Sequence, residues 1–334
     1  MNMEKDIKIA GIGSPIVDLL AYVEDSFINE KITGEKGGML LISDNEMKNI
    51  VNEIKTELHK APGGSAGNTI FAMCRLGAKA SMTGKLGNDE NGDFYKSTLE
   101  QSGGNSSGLK TDNDFPTAVS ICLVTPDTQR TMRTHLGAAM NLSPEDIKEE
   151  DFKGFPLLHT EGYLLFNKEL VIHILETAKK AGCKISLDLS SFEVINATAE
   201  FLPDLIKKYV DIIFANEDEA EAFCKTKEPE KALEILSQYC ETAVVKLGEK
   251  GSVIKSENNI IKVEPVYCEK PIDTTGAGDY WAAGFLYGYL KGLEPEKCGR
   301  IGSVLGAEVV SILGAELSDK QWEKISEQIK NIIS

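Results

Sequence analysis

A layered α/β fold, with a mostly parallel central sheet covered by helices on both faces and a smaller β-sheet beside it, is the architecture this sequence predicts. Three observations carry the expectation. Short β-type runs alternate with helical patterns along most of the 334 residues, which argues for parallel strands joined by covering helices. Two stretches, about 16–42 and 105–136, break that rhythm with β-type runs that follow one another directly. The segment Tyr280 to Leu290 is apolar nearly all round, so it must lie inside a large core.

In chain order the alternation begins with a strand at Ile7 to Ile12, a helix from Ala66 to Leu76, a strand at Ala80 to Gly84 and a helix from Asp93 to Gln101. It resumes with the strand Leu157 to Thr160, the helix Lys168 to Ala181, the strand Lys184 to Leu189, a helix at Leu202 to Tyr209 and the strand Ile212 to Ala215. Ala243 to Leu247 is the last strand, and long helices follow from Ala277 and Gly299. Between these, Ile16–Val23, Met39–Ile42, Ala118–Val124 and Thr131–Leu136 are expected to form an accessory sheet that folds over the site as a lid. The acidic segment Pro144 to Asp151 reads as a solvated helix face. Residues 1–334 are expected to make one domain with this small excursion.

Lys and Arg number 36 against 52 Asp and Glu, a net charge of −16 that disfavours a nucleic acid polymer or an acidic membrane as partner. The seven cysteines are scattered without paired spacing, and no stretch approaches the roughly eighteen apolar residues of a membrane span. A cytoplasmic location is expected. The four histidines show no metal-ligand spacing.

The chemistry concentrates at Asp273-Thr274-Thr275-Gly276-Ala277-Gly278-Asp279, directly before the apolar helix. A small-residue turn at a helix start aims backbone N–H groups at one point, where the dipole favours negative charge, so phosphate suits it. A carboxylate beside a phosphate needs a task, which makes Asp279 a candidate general base. Upstream, Gly63-Gly64-Ser65-Ala66-Gly67-Asn68 allows close backbone approach, and Asn68 suits sugar hydroxyls, although Ser65 is equally a good N-cap. Asn216-Glu217-Asp218-Glu219 follows a strand; it is close to a capping box and also places acids where a magnesium-bound phosphate could be held through water. Asp18 sits amid apolar neighbours, and Lys246-Leu247-Gly248-Glu249-Lys250-Gly251 is either a hairpin turn or a tight approach to a nucleotide.

Together, Gly63-Gly64-x-x-x-Asn68, Asn216-x-x-Glu219 and Asp273 to Asp279, in that order, resemble the ribokinase-like (PfkB) carbohydrate kinase family over nearly the whole chain. The resemblance implies a three-layer sandwich with a small β lid, and ATP and magnesium as cofactors. Asp279 would be the catalytic base, and Gly276, Ala277 and Gly278 the anion hole. Asp18, Gly64 and Asn68 would bind substrate hydroxyls, Asn216 and Glu219 would organise the magnesium, and Lys246, Gly248, Gly251 and Thr274 would contact the nucleotide. Potassium would bind near Asp273 and Thr275, and exposed lid strands would pair into a homodimer. Arg130 to Ala139 and Glu35 to Met39 look like the adenosine-kinase-like branch, although Ser14 stands where that branch often has Asn. Tyr22, Phe27 and Phe115 are the lid aromatics available to stack on a base, and Arg133 is expected to close over the acceptor or the phosphates. The expected activity is transfer of the γ-phosphoryl of ATP to a primary hydroxyl of a nucleoside or sugar. A kinase for ribose, fructose or a keto-deoxy sugar acid is the alternative, and a non-catalytic binding protein on the same fold is the reading from another class.

Overall fold

The computed structural model describes residues 6–127, 129–257 and 259–334. Its large sheet has nine strands: β1 (Lys8–Ile12), β5 (Lys79–Gly87), β6 (Leu109–Asp112), β9 (Leu157–Glu161), β10 (Lys184–Asp188), β11 (Ile212–Asn216), β12 (Thr242–Lys246), β13 (Ser252–Ser256) and β14 (Asn259–Val263). They lie in the order β14-β13-β12-β11-β10-β9-β1-β5-β6, parallel from β12 to β6, with β13 and β14 added antiparallel as a hairpin edge. The small sheet runs β3-β8-β7-β2-β4, from β2 (Ile16–Tyr22), β3 (Met39–Leu41), β4 (His59–Gly63), β7 (Ala118–Val124) and β8 (Arg130–His135).

The helices are α1 (Asp25–Lys31), α2 (Asp44–Glu53), α3 (Ser65–Arg75), α4 (Glu90–Gln101), α5 (Lys168–Lys180), α6 (Phe192–Thr198), α7 (Leu202–Tyr209), α8 (Glu217–Cys224), α9 (Pro229–Leu236), α10 (Ala277–Lys291), α11 (Pro295–Val309) and α12 (Asp319–Ile333). Alternation along each strand divides the core in two. Ile9, Ile212, Phe214 and Val244 face α3, α10, α11 and α12, whereas Ala10, Ile213, Ala215 and Val245 face α5 to α9. A central strand buried on both faces must be apolar on both, which is why these runs are continuous rather than alternating. Helix α10 lies in the first of these layers with Tyr280, Trp281, Phe285 and Leu286 buried.

Several expectations are corrected. The lid is not purely β: α1 and α2 cover its outer face through Ile28, Met47 and Ile50 packed on Ala21, Val119 and Ile121. Its fifth strand is His59–Gly63, paired antiparallel with β2, which Pro62 hides from a propensity reading. Leu109–Asp112, inside the expected lid range, pairs with β5 in the large sheet instead. The acidic segment 144–151 forms two short 3₁₀ turns, with Asp146 paired to Lys85 and Asp151 to Lys110. Among the described residues, no helix is long and apolar enough to cross a membrane.

Candidate active site

A cleft of about 840 Å³ opens beyond the C-terminal ends of β10, β11 and β12, where ligands bind on sheets of this kind. One wall is the turn before α10. Gly276 is its N-cap at φ 72°, a left-handed conformation that a Cβ would strain. Asp273 takes the Thr275 N–H at 2.7 Å and Thr274 O takes the Ala277 N–H at 3.1 Å. The N–H groups of Gly276, Gly278 and Asp279 have no protein partner among the described residues, so a helix N-terminus is left open to an anion. Ala277, expected in that cradle by its N–H, has spent the group inside the turn. Behind it, the Lys246 ammonium would lie 2.9 Å from a Cβ on Gly278, close enough to add a full positive charge to the anion position.

Asp279 stands in the first turn of α10, held by α3 packed alongside. Ser65 Oγ donates to Asp279 Oδ1 at 2.8 Å, Asn68 Nδ2 donates to Oδ2 at 2.9 Å, and Thr69 Oγ1 donates to the Asp279 carbonyl at 3.1 Å. Ser65 is therefore not the N-cap; Gly64 is, and the hydroxyl is free to orient the carboxylate. Burial is the main force on Asp279 and lifts its pKa to about 6, with the Asp188 charge adding and the Asn68 and Ser65 hydrogen bonds and Lys246 opposing. Such a carboxyl is ionised at neutral pH yet a far better proton acceptor than a solvated aspartate.

Asp18 lies on β2 with its carboxylate against Gly63 of β4, near enough to Asp279 and Asp273 to feel their charges. Burial, then the charges of Asp279 and Asp273, raise its pKa to about 7. Gly64 has φ 87°, and a Cβ there would collide with the carbonyl of Ser14, so two chain crossings between body and lid can touch only because the residue is glycine. Glu161, at the end of β9, ties these crossings together by accepting the Ser14 and Ala66 N–H groups, each at 2.9 Å. Its burial drives the pKa to about 7, against the pull of those two hydrogen bonds.

Across the cleft, Asn216 and Glu219 form the capping box of α8. Asn216 N–H and Nδ2 donate to the Glu219 carboxylate at 2.8 and 2.7 Å, and Glu219 N–H donates to Asn216 Oδ1 at 2.8 Å. Burial and the neighbouring Asp188 push Glu219 upward, with Lys246 opposing. Lys246 Nζ donates to Asp188 Oδ2 at 2.8 Å. Burial works against the Lys246 charge, but Asp188 and Glu219 outweigh it and its pKa rises. Asp188, Lys246 and Glu219 thus make one buried charge network beside the turn before α10, on the strand ends of β10 and β12 and the start of α8. Gly248 and Gly251 belong to the β12–β13 hairpin, as one of the two readings of this segment expects, and both line the same cleft. Thr274 also lines the cleft.

Arg133 contradicts its expected place. It is 1% exposed and donates to backbone carbonyls of Thr33, Gly38 and Met132, holding the 33–38 loop to β8 rather than facing the cleft. The lid arginine that reaches the site is Arg130, whose Nη1 lies 2.5 Å from Asp273 Oδ1 and also meets Thr275 Oγ1. Of the lid aromatics, Tyr22 shares the Asp18 face of β2, Phe27 belongs to α1 and packs into the cluster on the lid's outer face, and Phe115 is exposed ahead of β7. Motif reading also missed Asp188 and Glu161. The signal available was an acidic residue closing an apolar parallel strand, the position from which side chains enter such clefts.

An anion-binding helix start, a buried aspartate aimed across it and a lid carboxylate opposite define a phosphotransferase with an alcohol group as acceptor. The chain belongs to the pfkB family carbohydrate kinases, whose model matches residues 38–322. It is similar to an adenosine kinase structure from Sinorhizobium meliloti, 31% identical with a TM-score of 0.85 over 97% of this chain and 99% of that one. A probable sugar kinase structure from Rhizobium etli is similar to the same degree, 30% identical with a TM-score of 0.85 over 97% and 99% of the two chains. Among curated proteins, an adenosine kinase of Dictyostelium discoideum is 27% identical over 93% of this chain and 96% of its own length.

Proposed function

We propose that this kinase transfers the γ-phosphoryl of ATP to the primary hydroxyl of a nucleoside. The observation that carries phosphoryl transfer is Asp279, oriented by Ser65 and Asn68 at the edge of a turn with open N–H groups. Asp18 and Asn68 orient the acceptor hydroxyls, and Asp279 takes the departing proton. The N–H groups of Gly276 and Gly278, with Lys246 behind them, stabilise charge on the migrating phosphoryl without rearranging. The proton moves late in a loose transition state, so an aspartate suffices as base. Asn216 and Glu219 would hold magnesium through water, and the cation would supply positive charge to the donor phosphates; a buried carboxylate beside Asp188, with Lys246 the single cation between them among the described residues, fits such an ion. Gly248 and Gly251 flank the donor nucleotide.

The lid favours a nucleoside over a bare sugar. Strand pairing puts Leu20, Cys122, Met132, Met39 and Leu41 on the face that carries Asp18, and Met39 and Leu41 are exposed there. An apolar shelf beside a hydroxyl-binding carboxylate suits an acceptor with a flat apolar part, and thioethers pack well on aromatic rings. The names of the similar adenosine kinases point the same way. Coupled ATP-consumption assays with adenosine, inosine, ribose, fructose and keto-deoxygluconate at fixed magnesium test this. A nucleoside should dominate kcat/KM; turnover confined to ribose, fructose or the sugar acid would overturn the acceptor. Binding of ligand with no ATP consumption would revive a non-catalytic role.

A further inference from the structure

We infer that the Arg130 guanidinium takes the place of a monovalent cation at the Asp273–Thr275 turn, so that this chain works without potassium there. The inference rests on membership of the kinase family and not on which acceptor is used. Asp273 is 3% exposed, and its carboxylate is already shared among three partners. Oδ1 accepts the Thr275 N–H and pairs with Arg130 at 2.5 Å, and Oδ2 accepts the Gly314 N–H at 2.9 Å. The Thr275 hydroxyl, beside Asp273 in the turn near which potassium is expected, meets the same Arg130 Nη1.

One buried carboxylate therefore balances one positive charge, and the charge is covalently part of the chain. A guanidinium stays ionised at any working pH and spreads five donors over a planar fork, so a carboxylate and a hydroxyl side by side satisfy it well. A potassium ion drawing on the Asp273 carboxylate would need Oδ1 turned toward a point already filled by Nη1. It would also stand within a few ångströms of a fixed cation, where like charges repel strongly. The residues present do not fit a potassium ion.

The source of the charge matters as well. Arg130 begins β8 of the small sheet, while Asp273 and Thr275 belong to the body. Among the described residues this is the one ion pair between the small sheet and the phosphate turn. The lid thus supplies to the turn the charge that a bound ion would otherwise supply from solution. Arg130 is a positioning residue on this account: it holds Asp273 and Thr275, which shape the N–H groups that follow.

Thallium(I) NMR and thermal melts, in potassium chloride against tetramethylammonium chloride of equal ionic strength, test the substitution. Wild type and Arg130→Lys should show no saturable thallium binding and no potassium-specific rise in Tm. Arg130→Gln should gain both, and adding Asp273→Asn to it should remove them. Saturable thallium binding by wild type that Asp273→Asn abolishes would overturn the inference, as would a folded Arg130→Gln variant indifferent to potassium. Turnover supplies a third readout: potassium should raise kcat of Arg130→Gln about tenfold or more and leave wild type unchanged. The binding and melting readouts need no turnover, so an absence of kinase activity would refute the proposed reaction and leave this inference to be decided by them.

Discussion

Replacing the putting-together of charge at Asp279 by a neutral isostere should make the protein more stable while disabling it. Asp279 carries a pKa of about 6 against an ordinary 3.8, chiefly because burial penalises its charge. About two pKa units at about 1.4 kcal/mol each amount to roughly 3 kcal/mol of strain in the ionised form. Asp279→Asn removes that strain and keeps an acceptor for Ser65, but it sets a second amide donor against Asn68 Nδ2, which costs about 1 kcal/mol. Water in the cleft reduces the gain further, leaving about 1 kcal/mol net and a rise of about 1–2 °C in Tm for a chain of this size. The pH signature is more diagnostic than the size. Because the folded pKa is raised, the wild type's share of stability from this group is complete below about pH 4 and is lost as pH rises through about 6. The variant's advantage should be absent at pH 4, grow between pH 4 and 6 and stay level above. Circular dichroism melts across that range, with kcat measured in parallel and expected to fall roughly 10²-fold or more, provide the assay. An Asn variant less stable than wild type at pH 8, or an advantage independent of pH, would refute the burial argument.

Three further outcomes follow from the same geometry. The kcat/KM of the wild type should decline as pH falls through about 6, as Asp279 protonates, with Asp18 adding a second titration near 7; a flat profile down to pH 5 would remove Asp279 as the base. Gly64→Ala forces a φ of 87° on a residue with a Cβ and drives that Cβ into Ser14 O, so it should cost roughly 2 kcal/mol or more in a denaturant titration and raise the acceptor KM. Arg133→Ala empties the space of a buried side chain and removes its hydrogen bonds to the carbonyls of Thr33, Gly38 and Met132, so it should cost roughly 2 kcal/mol and speed hydrogen exchange across residues 33–41, the loop it ties down.

Arg130 and Arg133 show where sequence reading stops. Both sit on one strand, and a residue three places away in a strand points to the opposite face, so only one can enter the cleft. Which one depends on the register of β8 against β7, where Arg130 opposes Val124 and Arg133 opposes Ile121 of the face under α1 and α2. Local pattern offered no way to choose the phase, because Arg130-Thr131-Met132-Arg133-Thr134 has no clear apolar alternation. Asn216 and Glu219 are the opposite case: four residues in one turn make a capping box whatever the rest of the chain does.

The chain's own local chemistry determined the alternation of strands and helices, the glycine turn before α10 and the aspartate that follows it, since each depends on neighbours within a few residues. Tertiary structure alone decided that Ser65 and Asn68 grip Asp279 from more than two hundred residues away, that Glu161 pins both crossings to the lid, and that Asp188 and Lys246 share one buried site. The physical reason is that burial and pairing set the charge and direction of these groups, and both are properties of the packed molecule rather than of any segment.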